Sequence, residues 1–320
     1  MKRFALAAAA ALLLAAGPAA ADTRLTLKSA KAGTSYYVMM VQLSELLKKE
    51  SGGKILPTVE ESQGSVQNVK EAAKRPGAFL FTTPPGLIHQ GLKGQKPFEG
   101  ETGFDRIRGL FVMPFITVHA VVSADSGITA IDGLAGHKFI GGGKGTFCEQ
   151  QMSRMFDVLG LTGKVEVVDV ELNQASAALR NKRVSGFATC SSHPTPQVVE
   201  LASAVPLRIL SLSADVRAKL NAADPNAGPI TIAPGTYKGQ DAPVDTVGLA
   251  VGAYGTTEMD EETAYFVTRT FWRQREELAK AQPWWAGVTP ALVPQLQVKM
   301  HPGALRYYKE AGVAIPGAMM

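Results

Sequence analysis

Three short stretches of this chain place glycines and hydroxyl residues between a strand-like run and an amphipathic run. They are Ala32-Gly33-Thr34-Ser35-Tyr36-Tyr37, Ser62-Gln63-Gly64-Ser65 and Gly141-Gly142-Gly143-Lys144-Gly145-Thr146-Phe147. The chemistry open to such junctions is anion binding. The first amides of a helix have no intrahelical carbonyl to bond, and that end carries partial positive charge. Residues without bulk let a carboxylate or phosphate approach those amides. Thr34, Ser35, Tyr36, Ser65 and Thr146 add hydroxyls, and the ring of Tyr37 offers a wall for a ligand's carbon spine. The plainer role of Thr34 or Ser35 is to cap the helix. Lys144-Gly145-Thr146 is not a nucleotide phosphate loop, because Gly145 separates the lysine from the hydroxyl residue.

Further candidates lie at other strand ends. Thr82 and Thr83 close a short apolar strand. Ser191, Ser192 and His193 follow another, and His193 could donate to a carboxylate. A charged imidazole in that role would make affinity fall as pH rises. Tyr237 sits in a Pro/Gly-rich stretch as a ligand contact or a gate. Trp284 and Trp285 read as packing residues. The only cysteines are Cys148 and Cys190. They form a disulfide or stand as two small buried groups, and spacing alone leaves both open. Cys148 at a helix start, with a lowered pKa and His193 nearby, would suit a secreted hydrolase. Two cysteines and His193 lack the spacing of a zinc site, so no metal and no cofactor is expected.

The N-terminus reads as a secretory signal over residues 1–21. Lys2 and Arg3 precede an apolar run at 4–16, and Ala19-Ala20-Ala21 offers a cleavage site before Asp22. About 20 apolar residues are needed to span a membrane, so the run is too short for an anchor. The expectation is an exported periplasmic protein that does not itself span the membrane. The formal charge is +5, or +3 without Lys2 and Arg3. Scattered charge of that size is not a nucleic-acid footprint.

Strand-like and helix-like runs alternate, which predicts an α/β fold with mostly parallel pairing. Residues 25–29 and 55–59 read as strands, and 79–81 as a short one stopped by Pro84-Pro85. Residues 108–123 read as one or two strands, 138–140, 165–170 and 186–190 as others, and 246–251 as a late one. Tyr36, Met39, Met40, Leu43, Leu46 and Leu47 make one helical stripe, Val66, Val69 and Ala73 lie on a second helix, and Cys148, Met152, Met155, Phe156 and Leu159 make another stripe. Asn173 is placed to cap a helix, and Thr257 with Asp260 resembles a capping box before a long one. The two halves repeat one pattern of strand, Gly-Thr turn, helix and strand. That suits two similar lobes with a cleft between them.

The ordered motifs resemble the TAXI solute receptors of tripartite ATP-independent periplasmic (TRAP) transporters. The matching pieces are Gly33-Thr34-Ser35-Tyr36-Tyr37, Glu61-Ser62-Gln63-Gly64-Ser65-Val66-Gln67-Asn68, Gly145-Thr146, Ser192-His193-Pro194, Pro234-Gly235-Thr236-Tyr237-Lys238-Gly239-Gln240-Asp241, and His301-Pro302-Gly303-Ala304 with Tyr307-Tyr308. The resemblance implies a type II periplasmic binding protein of two α/β lobes. Lobe 1 would be 22–118 plus 246–320, and lobe 2 would be 119–245, with hinge strands at 118–123 and 243–249. It implies a monomeric receptor, not an enzyme. Such a receptor closes on a small organic anion, a dicarboxylate such as 2-oxoglutarate or a glutamate-like acid, and hands it to TRAP membrane subunits. A receptor for an ABC-type importer or a signalling system would share the fold. Relatives often carry a polar, acidic turn after the third strand. Here it reads Phe81-Thr82-Thr83-Pro84-Pro85-Gly86, which predicts a ligand without an amino group. Lys144 stands where relatives usually have a small residue. It is a candidate partner for a second carboxylate or else a solvated loop lysine.

Overall fold

The structure, a computed structural model, describes residues 23–320. The signal-peptide expectation lies outside the described residues. The chain opens with β1 (Thr23–Lys28), α1 (Ser35–Glu50), β2 (Ile55–Glu60), α2 (Ser65–Lys74) and β3 (Phe79–Thr83). β1 pairs in parallel with β2 on one side and β3 on the other. Parallel neighbours need a crossover, and α1 and α2 supply it. α1 buries Tyr36, Met39, Met40, Leu43 and Leu47 of its expected stripe and leaves Leu46 partly buried, and α2 buries Val66, Val69 and Ala73. α1 stops where Gly52 and Gly53 take positive φ, which returns Gly53 N–H to the Lys48 carbonyl at 2.9 Å. A further helix follows β3, α3 (Pro85–Leu92). The two prolines that end the strand also start this helix. Pro85 sits at the first helical position, where a missing N–H costs nothing.

Two long antiparallel strands then organise the molecule, β4 (Ile107–Ser123) and, far later, β10 (Val244–Thr256). Between them run β5 (Lys138–Ile140), α4 (Phe147–Val158), β6 (Glu166–Val167), α5 (Ala175–Arg180), β7 (Gly186–Ser191), α6 (Pro196–Ala204), β8 (Leu207–Ile209), α7 (Ala214–Ala223) and β9 (Ala227–Ile232). The strand order is β2-β1-β3-β10-β4-β7-β5-β6, with β8 on β4 and β9 on β10. β4 is one strand, not two. Its first part pairs with β10. From Thr117 onward it pairs with β7, and at its end with β8. β10 likewise pairs with β9 up to Leu249 and with β3 from Gly252. Thr117 faces Gly248, so both strands change partner at the same level. Pro114 is tolerated because it falls in the register shift between the Leu249 and Val251 pairings, where the ladder is already broken.

Other sequence expectations needed correction. The strand expected at 165–170 is only the two residues of β6. Asn173 lies inside a 3-10 turn (Leu172–Gln174) and caps nothing; α5 has no side-chain cap. The long C-terminal helix, α8 (Glu261–Ala281), is capped by Asp260, which accepts from Thr263 N–H at 2.8 Å, rather than by Thr257.

α8 and α9 (Pro302–Glu310) close the first half of the sheet. Phe271 stacks on Phe111 of β4 at 4.0 Å, and Tyr308 donates to the Leu110 carbonyl. Gly303 makes the helix pair possible. A Cβ there would lie 2.2 Å from the Glu261 carbonyl oxygen and 2.6 Å from Tyr265 N. Both are backbone atoms that cannot rotate away. Gly303→Ala is expected to cost about 1–3 kcal/mol, as overpacking does. Urea denaturation would read it as a lower midpoint with unchanged slope.

Candidate functional site

The starts of α1, α2 and α4 converge on one cavity of about 50 Å3. Ser29, Ala30, Lys31, Thr34 and Tyr36 reach it from the β1–α1 turn. Gln63, Gly64, Ser65 and Asn68 come from the β2–α2 turn, and Thr82 from β3. Gly142, Thr146, Phe147 and Cys148 come from the β5–α4 turn, Leu172 from a 3-10 turn and Cys190 from β7. Both halves of the sheet therefore contribute. Larger grooves exist elsewhere, one of about 670 Å3 along Arg208, Tyr237 and Lys238. It touches none of these helix starts, so the small cavity is the better candidate despite its size.

The three helix starts are not equally free. Thr34 Oγ accepts from Tyr37 N–H at 3.3 Å and donates to the Lys31 carbonyl at 2.7 Å. Thr146 caps α4, accepting from Glu149 N–H at 3.1 Å, while the Glu149 carboxylate accepts from Gly145 N–H at 2.6 Å. α2 differs. Its cap is Gly64, at φ 97°, whose own N–H donates to Ser62 Oγ at 2.9 Å, and among the described residues no side chain caps its first turn. The first amides of a helix lack intrahelical partners, and α2 leaves the most of them open, since the caps of α1 and α4 each take one first-turn amide. Beside them, Gln63 Oε1 is buried with no hydrogen-bond partner among the described residues. Asn68, 1% exposed, holds this corner together. Its Nδ2 donates to the Ser29 carbonyl at 2.9 Å, and its Oδ1 accepts from Ser62 Oγ at 2.7 Å.

The cation at the cavity is Lys31. Its Nζ lies 3.3 Å from Glu171 Oε2 across the gap between the two halves. Lys28 is 3% exposed, and Glu71 at 3.0 Å and Glu60 at 3.4 Å take up its charge.

Of the residues singled out in the sequence, Thr34, Tyr36, Gly64, Ser65, Thr82, Thr146 and Phe147 line the cavity. The others do not. The Ser62 hydroxyl is turned inward to Asn68 and Ser29, and Thr83 Oγ bonds the Pro84 carbonyl. Ser35, Ser191 and Ser192 form a clasp between the halves. Ser35 N–H donates to Ser191 Oγ at 2.9 Å, Ser35 Oγ donates to the Ser192 carbonyl, and Ser192 Oγ donates to the Phe115 carbonyl at 2.7 Å. Gly33 joins the clasp through its carbonyl, which accepts from Gln197 N–H at 3.0 Å. Tyr37, in the first turn of α1, is half-buried and does not line the cavity. Gly145 is engaged by Glu149. Lys144 is exposed and pairs with Asp169 at 2.7 Å, so it is the solvated loop lysine of the two readings.

His193 and Tyr237 are corrections of another kind. His193 Nδ1 is 2.8 Å from Thr117 Oγ, and the residue lines a separate groove with Phe115 and Trp284. Burial pushes its pKa below the ordinary value. It stays neutral near pH 7 and has no carboxylate to grip in the cavity. Tyr237 Oη accepts from Thr195 N–H at 2.9 Å and meets His119 Nε2 at 2.9 Å. It ties the loop before β10 to β4. The residues that sequence reasoning missed are Ser29, Lys31, Gln63, Asn68 and the cysteine pair. Asn68 and Gln63 stood in a motif that was read for its glycine, backbone amides and hydroxyls rather than for its amide side chains, and Lys31 precedes the first Gly-Thr turn.

Cys148 and Cys190 form a disulfide, with Cα atoms 5.3 Å apart. The bridge joins the first turn of α4 to β7 on the cavity wall. It also leaves the hydrolase reading without a thiolate nucleophile.

His119 is fully buried on β4. Its Nδ1–H donates to the Thr117 carbonyl at 3.0 Å, leaving Nε2 to accept from Tyr237. Burial first, and then the nearby His193, drive its pKa from 6.5 down to about 3. The unfolded chain takes up a proton below about pH 6.5 that the folded chain refuses until about pH 3. Stability is thus full above pH 6.5 and declines as pH falls through that window. Urea midpoints at pH 7.5 and 4.5 should show this loss, and His119→Gln should make it shallower. An unchanged slope would place the acid sensitivity elsewhere.

The chain superposes on the periplasmic binding protein BugD with a TM-score of 0.57 and 11% identity, over 91% of this chain and 97% of that one. A periplasmic transporter gives 0.53 and 10%, over 91% and 98%. A protein of Bordetella bronchiseptica RB50 gives 0.51 and 13%, over 92% and 90%. At these identities the likeness establishes the fold, that of a type II periplasmic binding protein. The family model that matches the chain spans residues 27–312, nearly all of what is described, and by that match the protein belongs to the NMT1-like family.

Proposed function

We propose that this protein is a periplasmic receptor that closes on a small organic anion and delivers it to a membrane permease. The observation that carries the reading is the shared cavity: three helix starts and Lys31, contributed by both halves of the sheet, around one space. The lobes are 22–118 with 246–320, and 119–245. The change of partners along β4 and β10 at Thr117 and Leu249 supports those limits.

Magnitudes make closure part of binding. One helix end is worth about 0.3–1 kcal/mol, up to about 2 when partly buried. A micromolar dissociation constant needs about 8 kcal/mol. Charge-assisted hydrogen bonds of roughly 1.5–3 kcal/mol each must supply most of the difference, and they reach that strength when water is excluded. The cavity has room for roughly three to five waters, so a ligand enters only if the halves part. The serine clasp and the Lys31–Glu171 pair then re-form over it.

Among the described residues, no aspartate or glutamate lines the cavity. That supports a ligand without an ammonium group, as does the Thr82-Thr83-Pro84-Pro85 turn. 2-Oxobutyrate should accordingly bind more tightly than 2-aminobutyrate. The permease partner we assign is the TRAP type, on the TAXI motifs of the sequence. Uptake that survives ATP depletion but not collapse of the ion gradient would support it; the reverse would favour an ABC-type importer.

A thermal-shift screen of C3–C6 mono- and dicarboxylates and acidic amino acids tests the core of the proposal. A true ligand raises the melting temperature with concentration. In Lys31→Met the same ligand should bind about 10–100-fold more weakly, the loss of one charge-assisted bond. If no small anion shifts the midpoint, the proposal fails.

A further inference from the structure

Resting on that reading of the cavity, we infer that the ligand bears one negative charge and a short apolar tail. It is a monocarboxylate, not a dicarboxylate. The charge inventory of the cavity carries this. Lys31 is its one lysine or arginine among the described residues. The lysines nearest in sequence to the other turns are committed elsewhere, Lys28 to Glu60 and Glu71, Lys144 to Asp169. Apart from Lys31 and the exposed Lys144, the charged groups named on the surrounding turns are acids. Glu171 faces Lys31 at 3.3 Å, Glu61 accepts from Ala32 N–H at 3.3 Å, and Glu149 accepts from Gly145 N–H at 2.6 Å.

One carboxylate is well served here. It can sit between Lys31, which it would share with Glu171, and the open amides at the start of α2, with Gln63 turning its amide to donate. A second carboxylate would find no cation, and it would lie in the field of those acids. An unpaired buried charge is disfavoured far more strongly than an unpaired neutral group. The rest of the wall suits carbon. Ile116, Val251, Phe147, Leu172 and the disulfide face the cavity. An apolar tail displaces water from these surfaces without leaving a polar group stranded.

Calorimetric titration of the mature protein with chain-matched pairs tests this: butyrate and 2-oxobutyrate against succinate, and 2-oxopentanoate against glutarate and 2-oxoglutarate. Each monoanion should bind at least tenfold more tightly than its dianionic partner. In Leu172→Lys, which adds a cation at the apolar end, the preference should shrink at least tenfold. Dicarboxylates binding as tightly as monocarboxylates, or more so, to the unaltered protein would overturn the inference and leave the receptor reading intact. Binding of neither series would overturn both.

Discussion

Reduction of the Cys148–Cys190 disulfide is expected to lower the melting temperature by about 5–10 °C. The bridge closes a loop with a sequence separation of 42. Chain entropy alone assigns such a loop about 4 kcal/mol. A chain of this length has an unfolding entropy that converts each kcal/mol into roughly 1.5–2.5 °C. The local packing is built around the bridge. Gly142 takes φ 107°, and a Cβ there would fall 2.5 Å from Cys148 Cβ and 2.9 Å from its sulfur. The triple glycine that looks like an anion-binding turn therefore also makes room for the sulfurs. Melting curves with and without a phosphine reductant would read the shift. Two titratable thiols in the untreated, denatured protein would contradict the bridge itself.

Asn68→Leu should cost about 2–4 kcal/mol, although leucine is nearly isosteric. Asn68 joins the end of β1 to the β2–α2 turn through Ser29 and Ser62, and it lies 3.4 Å from the Thr82 carbonyl at the end of β3. The substitution removes up to three buried hydrogen bonds, each worth about 0.5–1.5 kcal/mol, while Ser62 Oγ and the Ser29 carbonyl keep their bond to each other. The same contacts orient the α2 start toward the cavity, so ligand affinity should fall along with stability. Asn68→Asp keeps the acceptor and loses the donor, and it should be no better than leucine. If Asn68→Leu melts within about 1 °C of the unaltered protein, this corner does not hold the site in the way described.

Much of the fold was legible because its signals are local. The stripes of α1 and α4 recur within a turn or two of helix, and Gly52-Gly53 and Gly160 end them through backbone freedom alone. The Gly-Thr turns marked two of the three helix starts that meet at the cavity. Misreadings fell where a long-range effect prevailed. β6 is short because it has only β5 to pair with at the sheet edge. β4 continues through Pro114 because β10 tolerates a bulge there.

The site divides in the same way. Sequence alone placed donors at helix starts, since capping and φ preferences are settled by residues within about four of one another. Only the tertiary structure decided which donors remain available. Ser35 and Ser65 look alike in the sequence, yet Ser35 meets Ser191, 156 residues away, and Ser65 meets the cavity. Lys31 and Lys144 both sit in glycine-containing turns, but one pairs across the gap and the other within its own half. Whether a polar group is free for a ligand depends on what packs opposite it, and that neighbour is chosen by the whole sheet rather than by adjacent residues.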